Sequence, residues 1–175
     1  SDNLRDIFEQ SWAIFCCLPT PMNEDGSQDF SAYEWFFDKA AGYEGLLIVK
    51  STVLFKNIKP YMEQFNIVLN PEFLCQNSAV RDFRNQCIVI LGGATDLCML
   101  AEKVYRAYFT LPENIEYEYC TAEQACQLKY LHNIYHAYKV LFWNYVHEQT
   151  QNERRIFDLY SMLTGNTNEM ARIAA

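Results

Sequence analysis

The stretch that decides the fold is "GLLIVKSTVLFKNIKPYMEQFNIVLNPEF", Gly45 to Phe73. "LLIV" and "IVL" are continuous apolar runs too short for helices, and each leaves on a polar exit, "KST" and "NPEF". Runs of that kind read as strands buried on both faces of a parallel sheet. Between them "FKNIKPYMEQF" reads as a short helix interrupted by Pro60. Strand, helix and strand in that order make a crossover unit, whose two strands run parallel.

The same alternation extends on both sides. "WAIFCCL" is an apolar run ended by Pro19-Thr20-Pro21, and "SQDFSAYEWFFDKAAGY" follows with Ser27 as a cap and Phe30, Tyr33, Phe36 and Phe37 at helical spacing. "QCIVILGG" is a strand closed by two glycines. "TDLCMLAEKVYRAYF" is an amphipathic helix capped by Thr95, and "IEYEYC" is a further short strand. The expectation is an α/β fold, a partial Rossmann-like parallel sheet covered by helices. From Thr121 the pattern changes. Ala122 to Gln151 contains no Pro or Gly and repeats apolar residues at Leu128, Leu131, Tyr135, Tyr138, Phe142 and Tyr145. This predicts one long helix, with shorter ones around "ERRIFDLYSMLTG" and "NTNEMARIAA". Two domains are expected, a dinucleotide-binding portion over 1–120 and a helical, dimerising portion over 121–175. The long aromatic helix calls for a second copy, with Tyr135, Tyr138, Phe142 and Tyr145 buried in a two-fold homodimer through helix 122–151.

Composition removes several function classes. A net charge of −8 and no clustered basic stripe argue against sequence-independent nucleic-acid binding. No apolar run approaches the ~20 residues that span a bilayer, and "SDNLRDIFEQ" does not read as a signal peptide, so no membrane partner and a cytoplasmic location are expected. The seven cysteines include no C-x-x-C pair and sit mostly in apolar runs, where a thiol behaves as a small hydrophobe. Cys126, His132 and His136 admit a metal-site reading, because His132 and His136 share a helical face. Structural zinc takes four ligands and no fourth is evident, so ordinary helix surface and core is the expectation, with no metal.

In parallel sheets, ligands bind beyond the carboxyl ends of the strands. "PTP", "KST" and "NPEF" all lie there, and "KYLHN" places Lys129 and Asn133 on one helical face. Any one of these has a bland reading, as a strand stop, a helix cap or a solvated carboxylate; their succession favours a site. With "CLPTPMNEDGSQDFSAYE", "VKSTV", "LNPEFLCQNSAVRDFRN", "VILGG" and "KYLHNIYHAYKVLFWN" in this order, the sequence resembles the nucleotide-sugar 6-dehydrogenases, which oxidise UDP-glucose, GDP-mannose and relatives to uronic acids with NAD. The resemblance implies roles residue by residue. Pro19, Thr20 and Pro21 match the loop beside the nicotinamide, and Ser51 and Thr52 continue that cofactor-side rim. Thr52 and Glu72 match residues that position or activate water near the reacting carbon. Lys129 matches the lysine that stabilises the developing oxyanion, and Asn133 the asparagine that holds the sugar. A cation beside an emerging alkoxide is worth several kcal/mol in a water-poor site.

Departures from the family pattern are equally specific. No G-x-G-x-x-G turn is present to cradle a pyrophosphate, and none of the seven cysteines stands in the family's glycine-rich nucleophile context. Gln76 and Asn77 replace an acidic residue and a glycine, Leu54 replaces a proline, and the long helix reads "WNY" where the family commonly has an acidic residue after the asparagine. The expectation is a truncated relative that binds or assembles without turnover of its own, with NAD as the cofactor implied by family. The alternative is part of an active enzyme completed by further sequence or by an unknown protein partner, with a nucleotide sugar as ligand.

Overall fold

The computed structural model describes residues 2–150 and 153–164. The elements are α1 (Asp2–Gln10), β1 (Ala13–Cys16), α2 (Ser31–Lys39), β2 (Leu46–Val49), α3 (Phe55–Met62) and β3 (Asn66–Leu69). After a 3-10 turn (Gln76–Ser78) come α4 (Ala79–Arg84), β4 (Ile88–Gly92), α5 (Thr95–Tyr108), β5 (Glu116–Cys120), α6 (Ala122–Gln149) and α7 (Glu153–Thr164).

The five strands form one sheet in the order β1-β2-β3-β4-β5. β1, β2 and β3 are parallel, in register from Ala13↔Leu46 and Leu46↔Asn66 onward. The expectation of an all-parallel sheet is corrected at one seam: β3 meets β4 antiparallel at Leu69↔Gly92, after which β4 and β5 run parallel to each other. The physical reason is the connection. The chain leaves Leu69, turns through "NPEF", the 3-10 turn and the short α4, and re-enters the sheet at the end it left, so β4 runs against β3.

Both faces of the sheet are covered. On one, Tyr33, Phe36 and Phe37 of α2, Ile58 of α3 and Ala122, Ala125 and Cys126 of α6 pack on Leu47, Val49, Ile67 and Leu69. On the other, Cys98, Ala101, Val104 and Tyr105 of α5 pack on Leu46, Ile48, Val68, Val89 and Leu91. This two-sided burial explains why β2 is apolar at every position. The edge strand β5 instead carries Glu116 and Glu118, charges that blunt an open sheet edge.

Three local expectations are corrected. Ser27 does not cap α2; the residue before that helix is Phe30, and Ser27 donates its backbone N–H and hydroxyl to the Asp25 carboxylate in the preceding turn. Thr95 is the first helical residue of α5, behind Ala94, and not its cap. Pro60 does not interrupt α3, which continues to Met62. Helices α1 and α4 add to the expected elements. α6 begins at Thr121 with a reciprocal capping box: the Thr121 hydroxyl accepts from the Gln124 N–H while the Gln124 side chain accepts from the Thr121 N–H. Its first turns press on β4 so closely that a Cβ at Gly92 would lie 2.4 Å from the Ala125 methyl. The helix expected over "NTNEMARIAA" lies outside the described residues.

Candidate functional site

The carboxyl ends of β1, β2 and β3 lie side by side, so three successive loops share one rim. Lys50 and Asn70 are the first residues past β2 and β3, one row beyond the Val49↔Leu69 pair, and the Asn70 N–H donates to Val49 O at 2.8 Å. Asn70 is a fully enclosed polar side chain, 2% exposed. Its Nδ2 donates to Ile90 O at 2.8 Å, and its Oδ1 accepts from Lys50 Nζ at 2.9 Å and from the Tyr105 hydroxyl. One amide therefore ties β2, β3, β4 and α5 together beneath the rim. Burial pushes the Lys50 ammonium down to about 8, against the pull of the Glu72 carboxylate and Cys17.

The loop after β1 is fastened to the loop after β2 by hydroxyls. Thr20 Oγ1 donates to Thr52 O at 2.8 Å, and Ser51 Oγ donates to Leu18 O at 2.6 Å while accepting from the Tyr33 hydroxyl at 2.8 Å. Gln28 is the hub of this side. Its Nε2 reaches Thr52 O at 2.9 Å and Tyr130 OH at 3.1 Å, and its Oε1 accepts from the Leu54 N–H at 3.0 Å and Asn57 Nδ2 at 3.2 Å. Pro19 and Pro21 remain exposed at the tip.

The long helix brings the remaining pair to this rim. Lys129 Nζ donates to the backbone carbonyl of Glu72 at 2.5 Å and lies 5.5 Å from the centre of the Phe73 ring. Burial lowers its pKa, opposed by the Glu72 carboxylate. Asn133, one turn on, is exposed on the same face. A cleft of about 550 Å³ is walled by Lys50, Asn70, Glu72 and Phe73 from the rim and by Leu128 and His132 from α6, among others. The structure thus brings Lys129, Glu72 and Lys50 together, and places Thr20, Ser51 and Thr52 as a linked pair of loops. Sequence reasoning missed Asn70, Tyr105, Gln28 and the part played by Lys50. The available signal was a polar residue directly after each fully apolar strand, "LLIV-K" and "IVL-N".

For NAD, these residues fit one end only. The Thr20 and Ser51 protons are committed inside the loops, so this rim offers shape and lone pairs to a nicotinamide, while the chain has no glycine-rich turn for a pyrophosphate. Burial makes five of the seven thiols poorer nucleophiles: it raises Cys16 to about 12, Cys98 to about 11 and Cys126 to about 12, and raises Cys17 and Cys120 as well. Among the described residues no three His, Cys, Asp or Glu side chains converge as a metal group. Cys126 is in the core, apart from the metal reading of the sequence. No helix among the described residues is long and apolar enough to cross a membrane.

Comparison with known proteins identifies the family and the fold. Residues 1–109 match the model of the UDP-glucose/GDP-mannose dehydrogenase family, NAD binding domain. An uncharacterized protein of Methanocaldococcus jannaschii is 35% identical over 78% of this chain and 16% of its own length. The UDP-glucose 6-dehydrogenase AglM of Haloferax volcanii is 34% identical over 58% of this chain and 26% of its own. A GDP-mannose dehydrogenase from Pseudomonas aeruginosa, solved as a ternary complex, superposes with a TM-score of 0.78 at 23% identity over 91% of this chain and 41% of that one. The chain therefore spans between about one sixth and two fifths of the proteins it matches here.

Proposed function

We propose, for a chain that belongs to the UDP-glucose/GDP-mannose dehydrogenase family, that it presents the sugar-facing rim of a nucleotide-sugar site and acts by itself in binding and assembly, without turnover. The observation that carries this reading is Lys129, whose ammonium is held at the carbonyl of Glu72, a residue that walls the cleft, while burial makes five of the seven thiols still harder to ionise. Lys129 would meet an oxygen of the sugar that carries or develops negative charge, and Asn133 would hydrogen-bond the sugar from the same face. Glu72 and Thr52 would order water, and Pro19, Thr20, Pro21, Ser51 and Thr52 would shape the seat of a nicotinamide ring. NAD, when bound, supplies the hydride acceptor of the family's chemistry.

The outer face of α6 supports a homodimer. Tyr135, Tyr138, Phe142 and Tyr145 are exposed on the single chain, Tyr138 at 70%, together with Leu131, Ile134 and Leu141. A face this apolar is covered most simply by its own copy about a two-fold axis.

A second reading has its own support. Because Lys129, Asn133, Glu72 and Thr52 all remain, further sequence or a partner chain would complete an active NAD-dependent 6-dehydrogenase. Mixing the purified chain with NAD and UDP-glucose or GDP-mannose separates the two. No NADH is expected from the chain alone, and steady NADH production by it would overturn the first reading. NADH production only in a completed complex, abolished by Lys129→Ala, would establish the second.

A further inference from the structure

We propose that His132 and His136 chelate a divalent transition-metal ion on the surface of α6. The two residues are one helical turn apart, so their side chains leave the same face in the same direction. Their Nε2 atoms are 3.1 Å apart. Two cis nitrogen ligands at ~2.0–2.1 Å from one ion, with an angle between that of an octahedral and a tetrahedral site, stand ~2.9–3.3 Å from each other. The observed spacing falls inside that bite.

With no ion bound, one imidazole Nε2 donates its proton to the other. Head-to-head rings would put their centres much farther apart than their nitrogens. Here the centres are 4.3 Å apart against 3.1 Å for the nitrogens, with the planes inclined at 56°. The rings therefore meet at a slant and not head to head, and an ion entering between the nitrogens takes the place of the proton they share. Each imidazole also packs on an aromatic ring: His132 sits edge-on to Phe73 at 5.0 Å, and His136 against Tyr135 at 5.9 Å. Packing of that kind reduces the conformational entropy that binding an ion would otherwise remove.

Two imidazoles form a partial site, and solvent fills the remaining positions. Imidazole selects borderline ions such as Ni²⁺, Cu²⁺ and Zn²⁺ over Mg²⁺ and Ca²⁺. The spacing H-x-x-x-H on a helix is the one that lets two histidines grip a single ion. Nothing in this inference depends on the sugar-binding reading, and its test has no activity readout.

The test is calorimetric titration of the metal-stripped protein with Ni²⁺ near neutral pH, with absorbance recorded for a thiolate-to-metal band. The expected result is saturable binding of one ion per chain without a thiolate band, and no binding of Mg²⁺. His132→Ala and His136→Ala, each checked for native circular dichroism, should weaken binding by at least the ~tenfold that loss of even an outer-shell partner costs. His136→Gln provides a polar replacement should alanine disturb the helix, and His147→Ala should leave binding unchanged. Absence of a saturable site, binding that survives loss of either histidine, or a thiolate band accounting for the ion would each overturn the proposal.

Discussion

Asn70→Ala is the perturbation whose consequence can be worked out most fully. The side chain is 2% exposed and makes three hydrogen bonds. Truncation leaves the part-buried Ile90 carbonyl without the Asn70 donor and the Tyr105 hydroxyl, itself 1% exposed, without the acceptor of its proton, while the Lys50 ammonium keeps only its long contact to that hydroxyl at 3.4 Å. Each stranded buried group costs roughly 1–3 kcal/mol, and the ammonium's lost bond less, so the total is about 3–5 kcal/mol. A water entering the vacated space would bring it toward the lower figure. In urea, with a slope of about 2 kcal/mol per molar, the unfolding midpoint should fall by roughly 1.5–2.5 M. Asn66→Ala is the matched control: Asn66 is exposed, with a single bond from Nδ2 to Glu44 O at 2.7 Å, and should cost no more than about 1 kcal/mol. Should Asn70→Ala lose less than about 1 kcal/mol, the idea that this amide clamps the rim is wrong.

Other outcomes follow from the same geometry. Lys50 has a pKa of about 8 in the folded chain against the ordinary lysine value of 10.5; below pH ~8 it is charged in both states and its burial cost is fully present, and between ~8 and ~10.5 the folded chain sheds a proton that the unfolded chain keeps, so unfolding free energy should rise. Lys50→Met should abolish that rise, and a pH profile unchanged by the substitution would refute the burial argument. Gly92→Ala drives a methyl into Ala125 and should destabilise by about 1–3 kcal/mol, read as a lower thermal midpoint. Gln28→Ala removes the hub joining Thr52, Leu54, Asn57 and Tyr130, and should speed amide exchange at Leu54 with little change in the sheet. Tyr138→Glu on the exposed face of α6 should convert a dimer to monomer in sedimentation velocity at micromolar concentration; a monomeric parent protein would end the dimer proposal.

The sequence disclosed those parts of this molecule whose physics is local. Apolar runs four or five residues long, broken by polar exits, are buried strands because helices flank the sheet on both sides, and all five expected strands are present. The antiparallel seam at Leu69↔Gly92 was illegible, since direction depends on which end of the sheet the chain re-enters and not on any residue's preference. Caps were misjudged at Ser27 and Thr95 because a hydroxyl near a helix start has competing uses; Ser27 is taken by Asp25. At the site, the structure brings Lys129 to Glu72, two residues to which the resemblance gives separate roles, and nothing in their spacing showed that the bond would be to a backbone carbonyl. Asn70 and Tyr105 are 35 residues apart, and their bond exists only once β3 and α5 have packed.

Calorimetric titration of the chain with UDP-glucose and GDP-mannose, repeated on Lys129→Ala, reaches the heart of the account. Saturable binding of one of these sugars is predicted, weakened at least tenfold (~1.4 kcal/mol) when the ammonium is removed. Heats that are absent for both, or an affinity indifferent to Lys129, would contradict it.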